Sequence, residues 1–346
     1  MSGRAHKIAL FHALMLPLLA AAAGAPTGLQ RDVVFDAYTP LAGNAERLRR
    51  LTSPLSAWHL QQRLRTAHQT LSEQSIDLRG ERFALYVPPH APASGYGLLV
   101  FVPPWNEARV PQEWISTLNH RSIIFVSAAR SGNDQDVLNR REPLAILAAY
   151  NVMHRYSVDA QRVYVGGFSG GSRVALRLAL AYPDVFHGSL LEAGSDPIGT
   201  AEIPLPPVDL MRRFQQDSRL VYLTGEEDAL HLAQDARSRD SLQTWCVFDT
   251  DVQPMPRTSH GIADGGAFSR AVNSLERRSA PDPDKLAACR QHNRQTLDSR
   301  LRQARSLVDR NRTDDARKLL EEIDAQYGAL AAPESVELIQ KIEAAH

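Results

Sequence analysis

The chain has 346 residues, 43% of them hydrophobic and 23% charged, which is enough apolar material for one large globular domain with appendages. Lys+Arg and Asp+Glu each number 39, so the formal net charge is zero. That balance leaves no electrostatic footprint for a nucleic acid or an anionic membrane as an obligate partner.

At the N-terminus, Arg4, His6 and Lys7 precede an apolar run from Ile8 to Ala23, which ends in Ala23-Gly24-Ala25. A basic stretch, an apolar stretch and a small-x-small site in that order form the pattern of a cleaved signal peptide. The run is shorter than the ~20 residues a membrane span prefers, and it contains Pro17. Residues 1–25 are therefore expected to be removed, giving a periplasmic or secreted protein with no stable membrane span.

Residues 26–75 read as a helical leader, with Leu48, Leu51, Leu55 and Leu60 at roughly helical spacing. From Ile76 the periodicity changes. Phe83–Val87, Leu98–Val102 and Ile123–Val126 read as strands, and the continuous apolar run of the second is expected of a strand buried on both faces. Helical stretches at Gln112–His120 and Pro143–Tyr156 separate some of these. Further strands are expected at Arg162–Val165, Ser189–Leu191, Leu220–Leu223 and Trp245–Phe248. Strands alternating with helices predict an α/β fold, a doubly wound and mainly parallel sheet over residues 76–280. In such sheets the ligand crevice lies beyond the carboxyl ends of the strands.

Residues 281–346 read as purely helical, with one stripe of Leu297, Leu301, Ala304 and Leu307 and another of Ala316, Leu319, Leu320, Ile323 and Tyr327. Paired short amphipathic helices resemble a fragment of a tetratricopeptide-type array. Such arrays need about three repeats to stand alone. The segment is therefore expected to dock on the rest of the chain, or to present a surface to a protein partner. Cys246 falls in a predicted strand and Cys289 in a predicted helix. In an oxidising compartment they could form a disulfide, and the alternative is two buried free thiols.

The segment with most chemistry is Gly167-Phe168-Ser169-Gly170-Gly171, which follows the Arg162–Val165 strand and precedes the helix-like Ser172–Tyr182. Gly-x-Ser-x-Gly between strand and helix is the nucleophile elbow of α/β hydrolases. The serine is held in a strained turn beside the free N–H groups of a helix start, where an oxyanion can be stabilised. A serine hydroxyl needs a base, and the base needs an orienting acid. In this fold the order along the chain is serine, acid, histidine. Of the downstream histidines His187, His231, His260, His292 and His346, His260 is the best placed. It lies in Thr258-Ser259-His260-Gly261, after the last predicted strand. The acid is expected where the Leu220–Thr224 strand ends, in Gly225-Glu226-Glu227-Asp228. Asp228 is preferred, with Glu227 as runner-up. One oxyanion donor is expected from Gly170. The other should come from the loop Pro103-Pro104-Trp105-Asn106, where proline has no N–H and Trp105 or Asn106 remains.

These features together resemble the extracellular poly(3-hydroxybutyrate) depolymerase-like esterases of the α/β-hydrolase superfamily, a group that also holds feruloyl and acetyl-xylan esterases. The resemblance rests on Val158–Val165 running into the elbow, on Tyr182-Pro183-Asp184 after the helix, and on the Asp228 and His260 loops. It covers roughly residues 76–280. It implies Ser169 as nucleophile, Asp228 as orienting acid and His260 as general base, acting on a carboxylic ester. The chain lacks the many cysteines and the Ser/Thr-rich linker of polymer-degrading members, which favours a small soluble ester as substrate. A serine peptidase, an acyltransferase, or an interaction protein on a hydrolase scaffold are the alternatives. No His-Glu-x-x-His, zinc-spaced cysteine pair or Gly-x-x-x-x-Gly-Lys-Ser/Thr loop occurs, so no metal or cofactor is expected.

Overall fold

Leu98, Val100 and Val102 alternate along one strand with Leu99 and Phe101, and all five are buried. A strand apolar on both sides needs cover on both sides, and the computed structural model, which describes residues 26–344, supplies it. The expected signal peptide and His346 lie outside the described residues. In chain order the elements begin with β1 (Gly28–Val33), α1 (Asn44–Leu51), α2 (Pro54–Thr66), β2 (Phe83–Val87), β3 (Tyr96–Val102), α3 (Ile115–Arg121) and β4 (Ile123–Ala128). Then come α4 (Glu142–Arg155), β5 (Val158–Phe168), α5 (Gly170–Ala181), β6 (Gly188–Glu192), α6 (Val208–Asp217), β7 (Arg219–Gly225) and α7 (Ala229–Thr244). The chain continues through β8 (Thr250–Met255), α8 (Gly265–Leu275), α9 (Pro283–Asp309), α10 (Thr313–Tyr327) and α11 (Glu334–Ala344).

The eight strands form one sheet in the order β1-β2-β4-β3-β5-β6-β7-β8. β1 and β4 both pair antiparallel with β2, and every other pair is parallel. One face carries Val100, Val165, Leu191 and Tyr222 and is covered by α4, α5, α6 and, further out, the helical ends of the chain. The other carries Leu99, Phe101, Leu190 and Val221 and is covered by α3 and α8. There the Trp114 and Phe268 rings stack 4.0 Å apart. This is the α/β-hydrolase fold.

Two elements differ from the sequence reading. The leader is not wholly helical, because Gly28–Val33 forms the antiparallel edge strand β1. Trp245–Phe248 is not a strand. Trp245 caps α7, Cys246 takes a left-handed φ of 65°, and the run is apolar because it meets the C-terminal helices. Trp245, for example, lies edge-on to Tyr327 at 5.4 Å. The last strand is the more polar Thr250–Met255, whose Pro254 is tolerated because β8 is an edge.

The helical ends close on each other and on the sheet domain. Arg50 of α1 grips Asp184 with two hydrogen bonds of 2.6 and 2.9 Å and lies 4.6 Å from the Tyr182 ring centre. Asp324 of α10 accepts from the Leu55 N–H at the start of α2 at 3.0 Å, satisfying a free helix-end donor. Ala316, Leu320 and Ile323 are fully buried in the same apolar core as the sheet face. Cys246 and Cys289 are bonded, 2.06 Å between sulfurs, which ties the end of α7 to α9. Among the described residues no helix is long and apolar enough to cross a membrane.

Candidate active site

β5 ends at Phe168 and α5 starts at Gly170, so Ser169 must reverse the chain by itself. Its backbone sits at φ 54°, ψ −123°, a strained conformation for a non-glycine residue. The turn is this tight only because the flanking positions lack side chains. A Cβ on Gly167 would fall 2.3 Å from the Gly171 carbonyl, and one on Gly171 would fall 1.9 Å from the Val102 oxygen at the end of β3. The Ser169 N–H donates to the Glu192 carbonyl on β6 at 2.8 Å, which anchors the turn to the neighbouring strand.

The acid turn and the histidine loop are bound to each other by backbone. Glu226 N–H donates to the Met255 carbonyl at 3.1 Å, and Glu227 N–H to the Thr258 carbonyl at 3.0 Å. Gly225 permits this approach, since a Cβ there would lie 2.1 Å from the Thr258 oxygen. Three residues past His260, Ala263 is held from two sides. Its N–H donates to the Glu192 carboxyl at 3.0 Å, and its carbonyl accepts from the Trp114 indole at 2.8 Å.

These constraints bring Ser169, His260 and Asp228 into one chain of contacts. His260 Nε2 lies 3.1 Å from Ser169 Oγ, and His260 Nδ1 lies 2.7 Å from Asp228 Oδ2. The Asp228 carboxyl is buried and also receives His231 Nδ1 at 2.8 Å. Burial opposes its ionisation, but the hydrogen bonds from His231 and His260 prevail and hold it below the usual aspartate range. Glu226 and Glu227 are exposed to solvent. Burial alone pushes the Glu192 carboxyl up to about 8, against the single bond from Ala263.

The other expected residues group around this chain. Gly170 opens α5, where an N–H has no partner within the helix. The Trp105 ring is 6.2 Å from that of Phe168, which in turn is 4.9 Å from the His260 ring. Arg109 lies over the outer face of Trp105 at 3.9 Å. The Asn106 side chain is committed elsewhere, accepting from Gly132 N–H and donating to Asp134. Of the remaining histidines, half-buried His187 precedes β6 and exposed His292 lies in α9.

Two neighbours were not singled out from sequence. His231, set aside there, stacks on His260 with ring centres 4.3 Å apart and planes 23° from parallel. Exposed Asn133, in the turn after β4, overhangs Gly170, where a Cβ would meet its Oδ1 at 2.1 Å. A turn of Ser131-Gly132-Asn133-Asp134 after a strand was the available signal. Asp228, His231 and His260 also place one donor atom each within 4.8 Å of one another. The near-parallel rings keep the two Nδ1 directions side by side, an arrangement that suits two N–H donors on one carboxylate.

Residues 127–241, from β4 into α7, match the sequence model of the esterase PHB depolymerase family. The match takes in Ser169 and Asp228, stops short of His260, and spans about a third of the chain. Comparison with curated proteins found no match. Similar solved structures include the Pyrobaculum calidifontis esterase, at 16% identity over 57% of this chain and 80% of that one, TM-score 0.42. Est1E from Butyrivibrio proteoclasticus is 15% identical over 58% of this chain and 96% of that one, TM-score 0.42. The S-formylglutathione hydrolase FrmB from Staphylococcus aureus is 11% identical over 57% and 91%, TM-score 0.44. By its sheet order and its serine elbow the chain has the α/β-hydrolase fold, and its segment 127–241 is similar to the esterase PHB depolymerase family.

Proposed function

We propose that the chain is an exported serine esterase acting on small soluble carboxylic esters through an acyl-enzyme. The observation that carries this reading is the unbroken contact from Ser169 Oγ through the His260 ring to Asp228, 3.1 Å and 2.7 Å. Ser169 Oγ attacks the ester carbonyl while His260 Nε2 takes its proton. Asp228 accepts from Nδ1, fixes the tautomer and stabilises the imidazolium. The developing oxyanion is held by the Gly170 N–H and a second donor from the Trp105–Asn106 loop. As the tetrahedral intermediate collapses, the imidazolium gives its proton to the departing alkoxide. Water, deprotonated by His260, then attacks the acyl-serine and releases the acid.

Export is supported by the apolar run at 8–23 and by the bonded cysteine pair, which suits an oxidising compartment. The outer helices serve as a stabilising shell, since their apolar stripes are buried within the chain.

The test is hydrolysis of p-nitrophenyl esters of graded acyl length. Ser169→Ala is expected to lower kcat about 10⁴-fold or more with an unchanged melting temperature. Wild-type turnover in that variant would refute the reading.

A further inference from the structure

We propose that His231 is a positioning residue for the catalytic pair, holding the Asp228 carboxylate in line with His260. The inference rests on the serine-esterase reading and adds a fourth member to it. His231 Nδ1 is 2.8 Å from both oxygens of Asp228, so its N–H occupies a carboxylate that would otherwise be free to turn away from His260. The bond is short-range along the chain. Asp228 caps α7, His231 is in its first turn, and the carboxylate also accepts the His231 backbone N–H at 3.4 Å. The His231 ring is wedged in place. One face stacks on His260 at 4.3 Å, and the ring edge meets Gly194, where a Cβ would lie 2.4 Å from Cδ2. That close approach and the φ of 106° at Gly194 leave no room for a side chain behind the ring.

The carboxylates facing His231 are Asp228 and Asp235, one turn further along α7, and its ring packs on that of His260 from the loop after β8. Beyond Gly194 lies the Arg173–Asp196 pair, 3.4 Å apart. With its ring fixed between His260 and Gly194, His231 holds the Asp228 carboxylate turned toward His260 Nδ1.

The experiment compares wild type, His231→Asn and His231→Phe, reading kcat and KM on a p-nitrophenyl ester. The rate of Ser169 labelling by a fluorophosphonate is measured in parallel. Asn keeps a neutral N–H donor near the Nδ1 position, whereas Phe keeps only the ring. The expected result for Phe is a kcat about tenfold lower with KM within about twofold, and Asn restores kcat to within about threefold. The fluorophosphonate labelling rate falls in the order wild type, Asn, Phe. If Phe matches wild type in kcat, or if Asn fails to recover what Phe loses, the positioning role is overturned. If the folded wild-type protein is not labelled at Ser169 at all, the esterase reading falls and this role falls with it.

Discussion

The loops at the carboxyl ends of the strands and the outer helical shell are built on opposite terms. At the carboxyl ends of the strands, Ser169 is strained, His260 is 40% exposed, and the contacts are a few polar bonds between loops. In the outer shell, α2, α9, α10 and α11 join by buried apolar stripes, and charges pair at the surface between α9 and its neighbours, as in Arg300–Glu322 and Arg305–Glu334. The loops spend stability on geometry, while the shell and core supply it. Substitutions in the first region should change rate with little change in melting, and substitutions in the second should do the reverse.

The largest effect that sharpens this contrast is expected from Asp228→Asn. The variant keeps size and shape but presents an amide to two histidines, and kcat should fall about 10³- to 10⁴-fold with melting little altered. A large loss of stability with normal kcat per folded molecule would break the comparison. In the shell, Ile323→Ala opens a cavity in a fully buried site. Urea unfolding should report a loss of about 2–5 kcal/mol, with kcat unchanged in the folded fraction. Replacing both cysteines by serine frees a link of sequence separation 43. The expected cost is about 3–4 kcal/mol in the chain-entropy account, again without a change in kcat.

The smallest effect lies on the border of the two regions. Glu192 is buried beneath the elbow and keeps its proton up to about pH 8, from an ordinary value of 4.5. Between those values the folded protein binds one proton more than the unfolded chain, so stability falls as pH rises through that window. Glu192→Gln cannot titrate and keeps an acceptor for Ala263. Its melting temperature should therefore decline less than that of wild type from about pH 5 to about pH 8. Parallel declines would show that Glu192 is not the group responsible.

Where one physical demand dominates, the sequence was legible. The β3 run is apolar throughout because both faces are covered, and Gly167 and Gly171 are glycine because nothing larger fits. His260 stood out by its loop after the last predicted strand, whereas Glu226, Glu227 and Asp228 share one turn and residue type alone left Glu227 as an alternative. Legibility failed where tertiary partners override local pattern. Gly28–Val33 has no clear period because an edge strand buries little on either side. Trp245–Phe248 resembled a strand because its apolar residues meet α9 and α10 rather than a neighbouring strand. His231 was passed over because its contact with His260 depends on how the first turn of α7 meets the loop after β8, which residue spacing does not reveal.

Treating the folded protein with a fluorophosphonate and mapping the adduct by mass spectrometry probes Ser169 as the nucleophile. One adduct is expected, on Ser169, absent from Ser169→Ala and formed at least about 10²-fold more slowly in His260→Ala. A folded wild-type protein that takes no adduct, or takes it on another residue, would contradict that role.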